Sequence, residues 1–298
     1  ATAICEGLVG SEMCIRARPS VILSTYNQPA WLRLTLYGYL FQTDPAFEIV
    51  IADDGSGEET RELIERFKTT SDLRIQHVWH ADAGFQKCTI LNKAIKAAKG
   101  DYLILSDGDC VPRNDFIAVH KAHADPGFYL SGGYFKLPMQ TSHAITREGI
   151  ESGDCFSKKW LNANGVAKNS KLLKLTQSKL LQELCNKLTP TKRTWNGHNA
   201  SCFKADALKV RGFDERMRYG GEDVEFGYRL RNSGLQAKQI RYHAVCLHLE
   251  HERAYVKPDD LAANMKIRET TLREGLKYTP HGIEPVSYTH LRAHETFA

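Results

Sequence analysis

From Pro19 the chain alternates short apolar runs with amphipathic stretches. "SVILSTY" (20–26) reads as a strand, "PAWLRLTLYGYLFQ" (29–42) as a helix opened by Pro29, and "FEIVIADD" (47–54) as a second strand. "GEETRELIERFKTT" (57–70) continues as a polar helix, "LRIQHVWH" (73–80) as a third strand, "KCTILNKAIKAAKG" (87–100) as a helix closed by Gly100, and "DYLILSDGD" (101–109) as a fourth strand. Strand and helix repeated at this spacing predict an α/β fold with a mostly parallel central sheet flanked by helices. In such sheets the ligand crevice lies beyond the carboxyl ends of the strands. Polar residues gather at those ends: Thr25, Tyr26 and Asn27, then Asp53, Asp54 and Ser56, then Asp107 and Asp109. Any one of them also suits a cap or turn; three strand ends converging on one rim suggest a site.

Past Pro112 the alternation loosens. "GFYLSGGYFKL" (127–137) reads as one further strand whose paired glycines mark a bulge or close backbone approach, and "AVCLHL" (244–249) as another. Residues 157–193 carry Lys158, Lys159, Lys168, Lys171, Lys174, Lys179, Lys187, Lys192 and Arg193 against the single acid Glu183. Leu173, Leu180, Leu184 and Leu188 fall near one helical face there, which predicts an amphipathic helix packed on the domain through its leucines. The other reading is a basic surface for an anionic acceptor or an acidic membrane. No nucleic-acid-binding motif accompanies the charge, so nucleic acid is not an expected partner.

Composition narrows the class without changing the fold. With 298 residues, 42% hydrophobic and 25% charged, a sizeable core needs no disulfide support. The eight cysteines include no C-x-x-C pair, which points to free thiols in a reducing compartment. No apolar run approaches the roughly 20 residues needed to span a bilayer, so the expected location is cytoplasmic, or peripheral on the inner face of the cytoplasmic membrane with contact through 157–193. The tails read differently. A codon choice for "LVGSEMCIR" (8–16) has a reverse complement that translates as "SYTHLRAHE" (287–295) without a mismatch. Both strings resemble translated sequencing-library adapter, so 1–17 and 286–298 are expected to be non-native and carry no weight.

Two carboxylates at i and i+2 around Gly108 suit a hard divalent cation together with a ligand hydroxyl, although a lone D-x-D is often only a turn. At this point the chain resembles the family-2 glycosyltransferases of the GT-A (nucleotide-diphospho-sugar transferase) fold. The matching stretches are "STYN" (24–27), "IADDGS" (51–56), "GFQKCTILNKAI" (84–95), "SDGDC" (106–110), "WNGHNAS" (195–201) and "GFDERMRYGGEDVEFGYRL" (212–230). The last is similar to the galactosyltransferase and chondroitin-polymerase branch. The resemblance implies one GT-A domain over 18–285, with 18–112 as its nucleotide-binding half and 113–285 as its acceptor and catalytic half.

It further implies a metal-dependent inverting transferase that moves a sugar from a UDP-sugar, with Mn²⁺ or Mg²⁺, to a hydroxyl of a glycan or lipid-linked saccharide. By resemblance Thr25, Tyr26, Asn27 and Asp53 or Asp54 hold the nucleoside, and Asp107 faces ribose and metal. Asp109 ligates the metal, with His248 as a further ligand and His251 as its near competitor. Asp223 is the implied base, and Glu222 contacts the acceptor. Many relatives carry an arginine just before the asparagine matched by Asn92; here that position is Leu91, which shifts donor-side charge to Lys87. Gly197, His198 and Asn199 are expected to line the sugar pocket beside Asn196, with Trp195 stacking on a sugar face; the other reading of "WNGHNAS" is a polar turn between packed elements. A helix N-terminus near "GGED" favours an ionised Asp223. Two rivals remain: a nucleotidyltransferase making nucleotide sugars, disfavoured by the lack of a Gly-rich basic loop at "STYNQPAW", and a non-catalytic sugar-binding module.

Overall fold

The computed structural model describes residues 18–191, 194–252 and 256–285. The two tails, and Lys192 and Arg193 of the basic segment, lie outside the described residues. The first half runs β1 (Pro19–Thr25), α1 (Pro29–Leu40), β2 (Glu48–Asp53), α2 (Glu58–Thr70), β3 (Ile75–Trp79), α3 (Lys87–Ala97) and β4 (Tyr102–Asp107). It continues with β5 (Cys110–Pro112), α4 (Phe116–His123), β6 (Phe128–Ser131) and β7 (Gly133–Lys136). Then come α5 (Met139–His143), α6 (Arg147–Glu151), α7 (Lys158–Ala163), a 3₁₀ turn over Ser170–Leu175, and α8 (Lys179–Leu188). The remainder is β8 (Asn199–Phe203), α9 (Lys204–Lys209), α10 (Glu222–Asn232), β9 (Gln236–Gln239), β10 (Val245–His248) and α11 (Pro258–Arg273).

The large sheet has the order β3-β2-β1-β4-β8-β6-β9. Strands β3, β2, β1 and β4 are mutually parallel, and β8 is antiparallel to both of its neighbours. Both faces of β1, β2 and β4 are buried, so these strands read as near-continuous apolar runs, while β3 at the sheet edge is only partly buried. Ile22, Val50, Ala52, Leu103 and Leu105 face the layer of α3, α9 and α10. Val21, Leu23, Ile49, Ile51 and Ile104 face α1, α2 and α4. A second, three-stranded sheet, β5-β10-β7, packs Val111, Phe135 and Leu247 on a separate core with Phe156, Leu161 and Leu172.

"GFYLSGGYFKL" is two strands in two different sheets, where one strand was expected. The chain changes sheet at Gly132, where a Cβ would stand 2.1 Å from Asn199 Oδ1; a Cβ on Gly133 would stand 2.0 Å from the Arg241 carbonyl. Asn199 joins the sheets by donating from Nδ2 to the carbonyls of Gly133 (2.7 Å) and Ala244 (3.1 Å). Its Oδ1 lies 3.0 Å from His120 Nε2, and His120 Nδ1 lies 2.8 Å from Ser201 Oγ.

His120 is fully buried, and burial pushes its pKa down to about 3. The folded chain therefore keeps it neutral where the unfolded chain, near its ordinary 6.5, takes a proton. Between those values stability falls as pH falls, by roughly 1.4 kcal/mol per pH unit at most. The urea midpoint is expected to drop from pH 7 to pH 4, and His120→Asn to flatten part of that slope.

The basic segment departs from its expected packing. Leu173 lies in the 3₁₀ turn, and Leu180, Leu184 and Leu188 on α8 point outward. The inner side of α8 is fixed by polar bonds instead. Gln182 Nε2 donates to the Thr176 carbonyl (2.7 Å), Asn186 Nδ2 pairs with His243 Nδ1 (2.7 Å), and Asn186 Oδ1 accepts from the Tyr242 N–H (3.2 Å).

Candidate active site

The carboxyl ends of β1 and β4, the N-terminus of α10 and the segment after β10 surround one cavity of about 1020 Å³. Its β4 corner turns at Gly108, whose N–H donates to the Ser24 carbonyl (2.8 Å). A Cβ there would stand 3.0 Å from that oxygen, closer than most side chains come, so the turn favours glycine. The opposite wall is set by Gly220 and Gly221, with φ of 111° and 87°. These left-handed conformations suit glycine and let α10 start with Glu222 and Asp223 facing the cavity.

The two aspartates of "SDGDC" have different partners. Asp107 Oδ1 accepts from Lys87 Nζ (2.8 Å) and from Ser24 Oγ (2.5 Å). Burial would raise its pKa, but Lys87 and these hydrogen bonds hold it well below the usual carboxylate range. Asp109 faces two histidines, with its Oδ2 3.0 Å from His251 Nε2 and 3.8 Å from His248 Nε2. Burial opposes its ionisation; the His251 hydrogen bond and the nearby His248 outweigh that and lower its pKa.

Each histidine Nδ1 lies on a carbonyl, His248 on Leu249 (3.0 Å) and His251 on Glu252 (2.8 Å). A carbonyl only accepts, so each Nδ1 carries the proton and each Nε2 turns toward Asp109. Facing acceptors of this kind offer a place for a proton or a cation. The cluster of Asp109, Cys110 and His248 brings its ligand atoms within 4.8 Å of one another. Cys110 stays a thiol, pushed well above its ordinary pKa by burial and the neighbouring Cys246, with its S–H donating to Asp109 (3.4 Å). Carboxylate and imidazole are therefore the donors on offer, a set that fits a hard or borderline divalent cation.

Asp223 is held from two sides. Its Oδ1 accepts from the Val224 N–H (2.7 Å) and its Oδ2 from the Gly197 N–H (3.2 Å). Glu222 Oε2 accepts from the Gly220 N–H (2.9 Å). The helix terminus was expected to keep Asp223 readily ionised. Burial wins instead: it raises Asp223 against the lowering effect of those N–H groups and Lys87, and it raises Glu222 against Lys87. Lys87 is pushed up despite burial, because Asp107, Glu222 and Asp223 surround it.

Thr25, Tyr26, Asn27, Asp54, Gly197 and His198 also line the cavity. Tyr26 OH donates to Asp82 Oδ2 (2.9 Å), and Asp54 accepts from the Gln86 N–H (2.9 Å) while its Oδ1 lies 2.8 Å from His80 Nε2. Among the described residues, Thr25 Oγ1 and His198 Nε2 in the wall are buried and have no hydrogen-bond partner. His198 is neutral, since burial takes its pKa down to about 4.

Asp53, Asn92 and Asn199 lie behind the wall. Asp53 accepts from the Ser56 N–H (2.8 Å) and meets His77 Nε2 (2.8 Å). Asn92 clamps the 213–215 turn through Phe213 and Glu215. Asn196 turns to Ser131 Oγ (3.0 Å) and the Asn199 N–H (2.7 Å). Trp195 is 1% exposed and packs edge-on against Phe226 at 4.9 Å, so it cannot stack on a sugar. Arg218, Tyr219, Lys257 and Asp260 line the cavity without having been anticipated. Arg218 and Tyr219 had one signal, their place directly before "GGED".

Residues 20–150 match the glycosyl transferase family 2 profile. The chain is similar to a hyaluronan synthase of Pasteurella multocida, 28% identical over 301 residues, which takes in 91% of this chain and 28% of the relative. It is also similar to a chondroitin synthase of Escherichia coli, 28% identical over 277 residues, 87% of this chain and 38% of the relative. The chain thus spans about a third of these relatives' lengths. Among solved structures, S. aureus TarS 1-349 in complex with UDP-GlcNAc superposes with a TM-score of 0.55 at 19% identity, over 85% of this chain and 66% of that one. The mannosyltransferase PcManGT from Pyrobaculum calidifontis, in complex with GDP-Man and Mn²⁺, gives 0.54 at 16% identity, over 89% and 78%. These likenesses establish the fold.

Proposed function

Since the chain carries a family-2 glycosyltransferase domain on a GT-A fold, we propose that its cavity transfers a sugar from a nucleoside-diphosphate donor, a UDP-sugar, to a saccharide hydroxyl with inversion. One observation carries the reading. The β4 carboxylates Asp107 and Asp109 and the α10 carboxylates Glu222 and Asp223, more than a hundred residues apart in sequence, line one cavity with Lys87 among them.

Asp223 takes the acceptor proton: its carboxylate is fixed by two N–H groups, and burial raises its basicity toward what a base working near neutrality needs. Glu222 holds the acceptor hydroxyl. Lys87 and Asp107 face the donor's diphosphate and ribose, and Thr25, Tyr26, Asn27 and Asp54 the nucleoside. Asp109, with His248 and His251, would hold Mn²⁺ or Mg²⁺. A cation bound there supplies Lewis-acid stabilisation to the departing diphosphate. The acceptor is a glycan or a lipid-linked saccharide.

A screen of nucleotide sugars that reads released nucleoside diphosphate tests the reaction class. Release of pyrophosphate from a nucleoside triphosphate and a sugar phosphate would instead make the chain a nucleotidyltransferase, and turnover of neither would leave a binding module. Lys87→Met is expected to lower kcat/KM at least tenfold, about 1.4 kcal/mol or more. Because the Lys87 charge lowers the pKa of Asp223 and Glu222, its loss moves the acidic limb of the pH–rate profile to higher pH. A limb that stays in place would mean that Lys87 does not act on the base.

A further inference from the structure

Helix α8 is turned inside out. Leu180, Leu184 and Leu188 are 82%, 49% and 69% exposed, while Gln182 and Cys185 are its buried positions. Residues at i, i+4 and i+8 drift by only about 40° per step around a helix, so the three leucines form one stripe. Exposed leucines scattered singly need no explanation; a contiguous stripe marks an interaction surface.

The charge around the stripe says what it meets. Lys179 and Lys187 are exposed on α8 itself, and Lys168 and Lys171 are exposed on the segment before it. Among the described residues none of the four has a carboxylate partner. The one acid of the helix, Glu183, is turned to His243 at 3.5 Å. An apolar face bordered by unneutralised lysines matches the chemistry of an anionic bilayer, which takes leucine into the acyl boundary and lysine at the headgroups. A second copy of the chain fits poorly, because a two-fold contact through this stripe would bring lysines against lysines.

We propose that the Leu180–Leu184–Leu188 face of α8, flanked by Lys179 and Lys187, lays this domain on an anionic lipid surface. The anchor is separate from the transfer chemistry and stands without it. Among the described residues no helix is long and apolar enough to cross a membrane.

The test is co-sedimentation of the full chain with vesicles of phosphatidylcholine alone and of phosphatidylcholine with phosphatidylglycerol. Binding is expected to the second and to be at least tenfold weaker to the first, and to weaken as salt is raised. The triple variant Leu180→Gln, Leu184→Gln, Leu188→Gln is expected to lose the binding at least tenfold while keeping its UDP affinity and, within a few degrees, its thermal midpoint, because the side chains replaced are already about half exposed or more. Lys179→Gln with Lys187→Gln should weaken only the phosphatidylglycerol-dependent part. Three results would each overturn the proposal: no vesicle binding by the wild-type chain, equal binding by the triple variant, or a wild-type dimer that the triple variant dissociates.

Discussion

Asp223→Asn is expected to lower the transfer rate by about 10²- to 10⁴-fold, the usual contribution of a positioned general base, while UDP-sugar affinity changes little. Asparagine has nearly the same shape and keeps an oxygen that can accept from the Val224 or Gly197 N–H. It cannot take a proton. The wild-type profile sets the sign of the accompanying pH effect. Burial raises the Asp223 pKa above the ordinary carboxylate value, so activity should climb with pH along a limb above that value, and the limb should vanish in the variant. Single-turnover transfer gives the rate and calorimetric titration with UDP gives the affinity. If nucleotide binding collapsed along with turnover, Asp223 would be a donor ligand or a structural residue.

Loss of the cation should cost as much. Chelation with EDTA is expected to stop transfer, with recovery on adding Mn²⁺ or Mg²⁺. Asp109→Asn should weaken Mn²⁺ binding, followed directly by calorimetry, by at least the 10- to 100-fold typical of a lost supporting contact around a metal. His248→Ala and His251→Ala separate two rings that both turn Nε2 toward Asp109; the ligand is the one whose loss weakens Mn²⁺ binding more. Transfer that survives EDTA at full rate would remove the metal from the reaction, and undiminished Mn²⁺ affinity in Asp109→Asn would remove that residue from the metal site.

The first half of the fold was legible because both faces of its sheet's inner strands are buried. Strands β1, β2 and β4 are unbroken apolar runs, each closed by polar residues at the rim, and the observed ends differ from the expected ones by a residue or two. The second half was harder to read because its breaks depend on distant partners. Nothing local in "LSGGYF" says that the chain leaves one sheet for another; the reason is the room that Asn199 and the Arg241 carbonyl leave at the two glycines.

The site shows the same division. Asp54 and Asp53 are chemically equivalent in sequence, and alternation at the strand end turns one to the cavity and the other to His77. Asn92 and Asn199 have the right chemistry for a pocket, yet their amides serve backbone groups that would otherwise be buried unpaired. Trp195 looked like a sugar platform and is core, because Phe226 and Tyr129 enclose it.

By itself the sequence determined which residue types stand at the strand ends and at the start of "GGED", and so the class of chemistry available. Only the tertiary structure decided how they divide: Asp107 with Lys87, Asp109 with the histidines, and Asp223 raised by burial against the helix-terminus effect. It alone decided which way α8 faces. Periodicity specifies that a helix has an apolar side, but the side turned inward depends on which bonds the neighbours offer, and here Tyr242 and His243 offer polar ones.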